Sequence, residues 1–109
     1  MTLLGDAAHP TTPNLGQGAC LAIEDAAVVA HALATIADVP AAFRAYERAR
    51  FARTAMIVRD SLKTGAMGQW ENGLACAWRN FMVRHIPVGG MRERIRRLWT
   101  YDAWETPVG

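Results

Sequence analysis

The fold is decided by the sequence GDAAHPTTPNLGQGACLAIEDA, which occupies residues 5–26. An apolar run at residues 2–4 precedes it and predicts a short β-strand. The two prolines of the stretch stop a helix from starting early, so its first half predicts a shaped loop. Its second half begins a pattern of small apolar residues at three- and four-residue steps, which predicts a helix over residues 18–37. The small side chains of this face allow close approach to a sheet or a flat ligand. The opposite side offers Leu21 and Val28 between the carboxylates, so we expect the helix to be covered on most sides.

Three further helices are predicted after this unit. Pro40 suits the first turn of a helix, where its missing N–H costs nothing, and an apolar stripe follows it. Glycines and a proline interrupt the later part of the chain. The predicted helices cover residues 40–64, 74–84 and 91–99, with a turn at residues 86–90 and an irregular tail.

The predicted strand has no neighbour in the rest of the sequence, where no other segment shows a convincing strand pattern. We therefore expect a mostly α fragment, one short N-terminal strand followed by three to four helices, of a larger α/β Rossmann-like fold. The missing sheet would belong to an N-terminal fragment or a partner chain. Residues 1–64 are expected to form one domain portion and residues 65–109 a helical C-terminal extension.

Composition and charge narrow the class of protein further. The 109 residues are 51% hydrophobic and 20% charged, which excludes a disordered tail or a low-complexity linker. No uninterrupted apolar run reaches the ~18 residues that a membrane span needs, so we expect no transmembrane segment and a cytoplasmic protein. Cys20 and Cys76 lack metal-ligand spacing and are predicted to be buried free thiols. Residues 1–40 carry a net charge of −4 and residues 41–109 a net charge of +6.

The loop contains the residues with the most chemical information. In open α/β sheets ligands bind at the carboxyl ends of strands, and Asp6 follows the predicted strand directly. Its carboxylate would accept hydrogen bonds from ligand hydroxyls. Gly16 and Gly18 would let a ligand approach the backbone, and the amides at the helix start would favour negative charge. The alternative is that Asp6 only forms a turn and the glycines only a tight bend.

Together these residues resemble the second flavin-binding motif of the FAD-dependent aromatic hydroxylases and related class A flavoprotein monooxygenases. The resemblance is close over residues 2–35 and looser over the next helix. It implies that this chain is the C-terminal portion of an FAD-binding domain. It also implies that Asp6 binds the ribityl chain of FAD and that Pro13 lies beside the flavin ring. The backbone segment that would face the pyrimidine edge of the ring consists of Leu15, Gly16, Gln17 and Gly18.

The resemblance implies an activity as well. In this family NADH or NADPH reduces FAD, which then reacts with oxygen, and a small organic substrate is hydroxylated or epoxidised. The sequence has no GxGxxG motif after a strand, so the pyrophosphate and adenosine site of the family is absent from it. We therefore expect the isolated chain to bind FAD weakly or not at all and to be inactive. No catalytic residue is assigned.

Several polar residues of the loop and of the first two helices leave alternatives open. His9 is expected to be a hydrogen-bonded structural residue rather than a catalytic one, and no metal site is predicted. Glu24 and Asp25 lie on an otherwise apolar helix. They would form an ion pair with Arg50 or Arg53 of the next helix, or else be exposed to solvent. Arg53 lies in the middle of an apolar stripe and is expected to be partly buried and paired.

Two rival functions remain at this point. The chain could be a non-catalytic helical interaction protein, or it could be a basic surface-binding module that contacts a membrane or a partner. The second rival rests on a basic cluster, Arg92, Arg94, Arg96 and Arg97, beside Trp99. No nucleic-acid partner is expected, because the basic residues alternate with acidic and apolar ones. The four tryptophans are expected to be packing residues.

Overall fold

The computed structural model describes residues 1–109, and all of its regular structure is helical. Two short 3-10 turns, Gly5–Ala7 and Pro13–Leu15, come first. Four helices follow, in agreement with the three to four that the sequence predicts. They are α1 (Gly18–Thr35), α2 (Val39–Gly68), α3 (Gly73–His85) and α4 (Val88–Trp99).

The chain folds as two compact units. The first contains Met1–Gly65 together with Asp102–Gly109, and it holds both 3-10 turns, α1 and most of α2. The second is Ala66–Tyr101 and holds α3 and α4.

The short N-terminal strand predicted from the sequence does not form, and that prediction is wrong for this chain. The backbone is extended at Leu4 (φ −136°, ψ 159°), but no other segment pairs with it. Side chains of α2 hold the segment instead, since Thr2 Oγ1 donates to Glu47 Oε1 at 2.7 Å and the Tyr46 hydroxyl donates to the Leu3 carbonyl at 3.2 Å. A strand is stable only with a neighbour that takes up its backbone donors and acceptors, and this chain offers none.

Helix α1 buries a different face from the one that its small residues predict. The small-residue face is largely exposed, and Ile23 on it is 71% exposed. The buried face is the opposite side, where Leu21 and Val28 were expected to be covered, and it also includes a carboxylate that apolar periodicity does not predict. Its members are Leu21, Asp25, Val28 and Ala32.

Helix α2 begins where the sequence predicts and ends later. The Asp38 carboxylate accepts a hydrogen bond from the Ala41 amide at 2.9 Å, which caps the helix. Pro40 occupies the first turn, as expected. The helix then continues through Gly65 to Gly68 instead of ending at residue 64.

The core of the first unit lies where α1 meets the first half of α2. The tail, which is irregular as predicted, also reaches this core through Val108, which is only 4% exposed. The buried apolar cluster consists of Val28, Ala32, Ala42, Ala45, Tyr46 and Val108. This packing sets α1 against α2 and thereby positions the loop that leads into α1.

The second unit exposes most of its apolar side chains. The Asn72 side chain caps α3 by accepting from the Leu74 amide at 2.9 Å. Helix α4 starts at Val88, so the turn predicted at residues 86–90 is mostly helical. No residue of α3 or α4 is buried. All four tryptophans of the chain are at least 37% exposed, so the prediction that they serve as packing residues is wrong.

Helix α1 is long and apolar enough to cross a membrane if only length and composition are considered. This is weak evidence, because core helices of water-soluble proteins satisfy the same criteria.

The prediction that both cysteines are buried is wrong, since Cys20 is exposed and Cys76 is half-buried. Both cysteines are free, as expected.

Candidate functional site

The loop of residues 5–17, called here the glycine loop, is fixed at its start by one buried carboxylate. Asp25 of α1 is fully buried. Its Oδ2 accepts hydrogen bonds from the Gly5 amide at 2.9 Å and lies 2.6 Å from His9 Nε2. Its Oδ1 accepts from Arg50 Nε at 2.7 Å. A single side chain thus joins the glycine loop, α1 and α2.

These contacts keep Asp25 ionised. Burial alone would raise the pKa of its carboxyl group, but the hydrogen bonds from the Gly5 amide, Arg50 and His9 outweigh burial and lower the pKa. The expectation that His9 is a hydrogen-bonded residue is confirmed. Its second ring nitrogen, Nδ1, is buried and has no hydrogen-bond partner within the chain.

The ion pairs predicted between the first two helices are confirmed. Glu24 Oε1 lies 2.6 Å from Arg53 Nη2, and Glu24 Oε2 lies 2.8 Å from Arg50 Nη2. The side chain of Arg53 is only 9% exposed and that of Glu24 15%, which rules out the solvent-exposed alternative. With Asp25 these residues form a charged network of two acids and two arginines that fixes α1 on α2.

The middle of the glycine loop is fixed to the other half of α2. The hydroxyls of Thr12 and Ser61 are 2.6 Å apart, and Ser61 Oγ also donates to the Thr12 carbonyl at 2.8 Å. Asn14 Nδ2 donates to Thr12 Oγ1 at 2.8 Å. A Cβ at Gly65 would collide with the amide group of the Asn14 side chain, so a larger residue there would displace this side chain from its place against α2.

Between and beyond these anchors, part of the glycine loop stays open to solvent. Asp6 is exposed, and its carboxylate forms no hydrogen bond or ion pair. Pro13 is also exposed, while Leu15 is half-buried. Gly16 adopts a left-handed conformation (φ 62°), and the space around its missing Cβ is empty. A ligand could therefore reach the backbone here without displacing a side chain.

The first turn of α1 presents unused backbone donors at the end of the same loop. Gln17, which is only 8% exposed, precedes the helix without capping it through its side chain, and the first turn holds no acid. The first helical hydrogen bond runs from Leu21 to the Gln17 carbonyl. The amides at the start of the helix, from Gly18 on, consequently lack helical partners and carry the positive end of the helix dipole.

A buried hydroxyl lies beside this helix entrance. Thr11 Oγ1 is buried without a hydrogen-bond partner, and a Cβ added at Gly18 would lie 3.3 Å from it. Buried hydroxyls nearly always have a hydrogen-bond partner. A polar group of a bound ligand would supply the partner that Thr11 Oγ1 lacks within the chain. The six residues predicted for a ligand site thus lie in one continuous loop and helix start, with the carboxylate of Asp6 and the backbone at Gly16 accessible.

Sequence reasoning missed the residues that hold this loop. It assigned an ion pair to Asp25 but not the bonds to Gly5 and His9, and it gave Ser61 no role. A usable signal existed, because the buried positions of α2 recur at helical spacing through its second half, and all of them except Ile57 are polar or small. These positions are Arg50, Thr54, Ile57, Ser61 and Gly65.

The fold and the site define a ligand-binding segment in which an anchored glycine loop leads into an uncapped helix. A family model described as FAD binding domain matches residues 1–61. The chain belongs to this family, the FAD-binding domain of the FAD-dependent aromatic hydroxylases, and FAD is its cofactor. The resemblance stated from the sequence is therefore confirmed.

Curated relatives agree with this assignment. Aurachin C monooxygenase/isomerase of Stigmatella aurantiaca is 46% identical over 95 residues, which are 87% of this chain and 25% of that protein. 2-Heptyl-3-hydroxy-4(1H)-quinolone synthase of Pseudomonas aeruginosa is 40% identical over 100 residues, 92% of this chain and 26% of that protein. 3-Hydroxybenzoate 6-hydroxylase of Polaromonas naphthalenivorans is 53% identical over 66 residues, 60% of this chain and 16% of that protein.

This chain spans about a quarter of the length of the first two relatives. No solved structure matches it. The chemistry of the site fits part of an FAD molecule. A carboxylate without partners suits a polyol, and unpaired amides with a buried hydroxyl suit the polar edge of a flavin ring.

Proposed function

We propose that this chain provides the flavin-ring side of the FAD site in an NAD(P)H-dependent monooxygenase that hydroxylates or epoxidises a small organic substrate. The observation that carries the proposal is the glycine loop itself. Asp25 and Ser61 hold the loop through hydrogen bonds to its backbone at Gly5 and Thr12. The Asp6 carboxylate and the Gly16 backbone nevertheless stay unobstructed. An anchored loop with an accessible polar edge is preorganised for a ligand.

The proposed roles follow from the chemistry of each group. The Asp6 carboxylate accepts hydrogen bonds from the ribityl hydroxyls of FAD. Pro13 lies beside the ring, and the backbone donors near the pyrimidine edge come from Leu15, Gly16, Gln17 and Gly18. The positive end of α1 stabilises negative charge on the ring, as helix N-termini do for anions. FAD supplies the electron transfer between the nicotinamide donor, oxygen and the substrate.

The relatives support the substrate class. One is named as the synthase of a hydroxyquinolone and another as a hydroxylase of 3-hydroxybenzoate, and both of these compounds contain an aromatic ring. We propose a small aromatic or related organic substrate for this protein. We also propose that its pyrophosphate and adenosine site lies in a separate N-terminal part or partner chain. In this proposal residues 1–64 complete the FAD-binding domain, residues 65–109 form an extension, and the protein works in the cytoplasm.

Flavin titration tests the assignment of the site. Quenching of FAD fluorescence by the chain is measured for wild type, Asp6→Ala and the control Glu71→Ala, which removes an exposed acid from the second unit. Loss of hydrogen bonds to a charged acceptor costs about 1.5–3 kcal/mol, so Asp6→Ala should weaken binding at least about tenfold. The control should bind like wild type.

Two outcomes would contradict the assignment. One is an unchanged dissociation constant for Asp6→Ala in a variant whose circular dichroism matches wild type. The other is an equal loss of affinity in Asp6→Ala and in the control Glu71→Ala, which would show that the effect does not arise in the glycine loop.

A further inference from the structure

Helix α4 carries an apolar stripe that nothing in its own unit covers. Val88, Met91, Ile95 and Trp99 recur at three- and four-residue steps and therefore share one face of the helix. Their exposures are 73%, 41%, 43% and 75%. Four exposed apolar side chains in one row are unusual on a free surface and mark an interaction site.

Arginines border this stripe on both sides. At about 100° per residue, Arg92 and Arg96 follow one edge of the stripe, and Arg94 lies along the other. The helix contains one acid, Glu93, whose carboxylate is bonded to Arg96 at 2.9 Å and to Arg97 at 3.1 Å. These pairs lower the pKa of Glu93 to about 2, so it remains charged. The helix as a whole carries four positive charges and one negative charge.

We propose that α4 binds in the plane of an anionic lipid surface. An apolar stripe bordered by arginines, with a tryptophan at one end, is the pattern of helices that lie at the boundary between headgroups and acyl chains. The helix has 12 residues, about 18 Å in length, which is too short to cross a bilayer. It can therefore lie on the membrane but not span it.

The charge of the whole second unit is complementary to such a surface. Residues 66–101 contain six arginines, no lysine and two glutamates, a net charge of +4. Anionic lipids attract basic groups placed near their headgroups. A nucleic acid is a poorer match, because the centre of the exposed face is apolar and the arginines stand at its edges.

A depression beside the stripe offers a place for a phosphate group. Its lining includes Arg92, Arg96 and Trp99, together with Glu93, whose carboxylate is paired with Arg96 and Arg97. Two guanidinium groups can hold a phosphate through paired N–H donors, while the indole contacts the apolar part of the lipid. Arg96 is already bonded to Glu93, but its side chain is 67% exposed, and exposed ion pairs exchange partners at little cost.

Vesicle co-sedimentation of the 109-residue chain tests the proposal. The vesicles consist either of phosphatidylcholine alone or of phosphatidylcholine with about a third phosphatidylglycerol. We expect binding to the anionic vesicles, weak or no binding to the neutral ones, and release at high salt, since the attraction is screened. A blue shift of tryptophan emission on binding is expected, and it should be smaller in Trp99→Ala.

Paired variants separate the local surface from general charge. Arg92→Glu with Arg94→Glu should lower the partition coefficient about 20-fold or more, since each basic group near the surface contributes roughly fivefold. Arg44→Glu with Arg48→Glu makes the same change of net charge on exposed positions of α2 and should retain most of the binding. Ile95→Glu should abolish binding, whereas Phe51→Glu, at an exposed apolar position of α2, should not.

Three results would overturn the proposal, provided that circular dichroism shows each variant to be folded. The first is no binding of wild type to anionic vesicles. The second is equal binding to neutral and anionic vesicles, which would indicate a merely sticky apolar surface. The third is equal loss in the α2 and α4 charge variants. A dimer on gel filtration that Ile95→Glu dissociates, without vesicle binding, would assign the stripe to a second copy of the chain.

Discussion

Asp25 is the residue on which the local geometry depends most. It is fully buried, and its two oxygens take up the Gly5 amide, the His9 ring and the Arg50 guanidinium. Two of these partners belong to the glycine loop and the third to α2, so one side chain of α1 holds both segments. A buried carboxylate is tolerated only when it is paired in this way, and loss of one partner leaves the others buried without compensation.

Replacement of Asp25 by asparagine should destabilise the chain strongly. The change keeps the shape of the side chain but leaves Arg50, which is 2% exposed, without its carboxylate partner on this side. Breaking a buried charge pair costs about 3–5 kcal/mol. The free energy of unfolding from urea titrations followed by circular dichroism measures the loss. The same substitution at Asp38, which is 66% exposed and can still cap α2 as asparagine, should cost little.

The pH dependence gives an independent readout of the same residue. The folded protein holds the pKa of Asp25 below its unfolded value of 3.8. Its contribution to stability is therefore fully present above that value and is lost as the pH falls through the lower folded pKa. Wild type should lose more stability than Asp25→Asn between pH 5 and pH 2, on the scale of roughly 1 kcal/mol per pKa unit. Equal losses in the two proteins would refute this role of Asp25.

At the scale of elements, helix α1 and helix α2 are joined by charges as much as by apolar packing. Glu24 interacts with both Arg50 and Arg53, and the apolar core lies further along the two helices. The side chains of this network are mostly withdrawn from water, so their interaction is screened less than that of surface pairs. The network therefore contributes to the angle at which α1 presents its N-terminus.

A double-mutant cycle on Glu24→Gln and Arg53→Met should reveal this coupling. We expect a coupling energy of about 1–3 kcal/mol, because the two groups form short charged contacts at 15% and 9% exposure. The control cycle uses Asp38→Asn and Arg44→Met, a pair that is 4.0 Å apart and more than 60% exposed on both sides. Its coupling should be close to zero. Similar coupling energies in the two cycles would contradict the claim that the charged network helps to orient α1 on α2.

The elements also show how far the sequence could be read. The number of helices and their approximate bounds could be predicted from apolar periodicity and from the positions of glycine and proline. The pairing of Glu24 with Arg53 could be predicted because opposite charges lie on otherwise apolar helix faces. The end of α2 did not, because Gly65 was read as a helix breaker. Its actual use is to admit the Asn14 side chain from the glycine loop, a contact between residues that are 51 positions apart in the sequence. Such long-range packing has no local signature.

The buried face of α1 was predicted only in part, for a related reason: Leu21 and Val28 were expected to be covered, but a fully buried carboxylate between them was not. A hydropathy pattern counts Asp25 as a surface residue, so the stripe that contains it is discounted in favour of the alanine-rich face. Its burial depends on Arg50, on another helix. The chemistry of the glycine loop was easier to recognise, since Asp6, Gly16 and Gly18 have properties that follow directly from residue type.

At the scale of the whole molecule, the uneven distribution of charge along the chain has two structural consequences. The acids of residues 1–40 include Glu24 and Asp25, which are paired with arginines of α2. Four of the remaining basic residues lie in α4, a helix whose own sequence contains one acid, Glu93. In the functions proposed above, the first unit binds a cofactor and the second a lipid surface. The two properties can be tested separately, because no variant of α4 alters a residue of the glycine loop.

The isolated chain should bind FAD only weakly. Its proposed contacts involve the ribityl chain and the ring, while no GxGxxG segment is present to hold the pyrophosphate and the adenosine. Association costs translational and rotational entropy whatever the number of contacts. A chain that contacts only the ring and ribityl part of FAD must offset this whole cost with part of the contact energy, so its binding free energy is reduced by more than half. FAD mixed with the purified chain should therefore separate from it on gel filtration, as followed by absorbance of the flavin. Riboflavin 5′-phosphate, which lacks the adenosine half, should quench with an affinity within a few-fold of that of FAD. Stoichiometric flavin retained through the column, or binding of FAD far tighter than that of the shorter flavin, would mean that this chain holds an adenosine site that its sequence does not reveal.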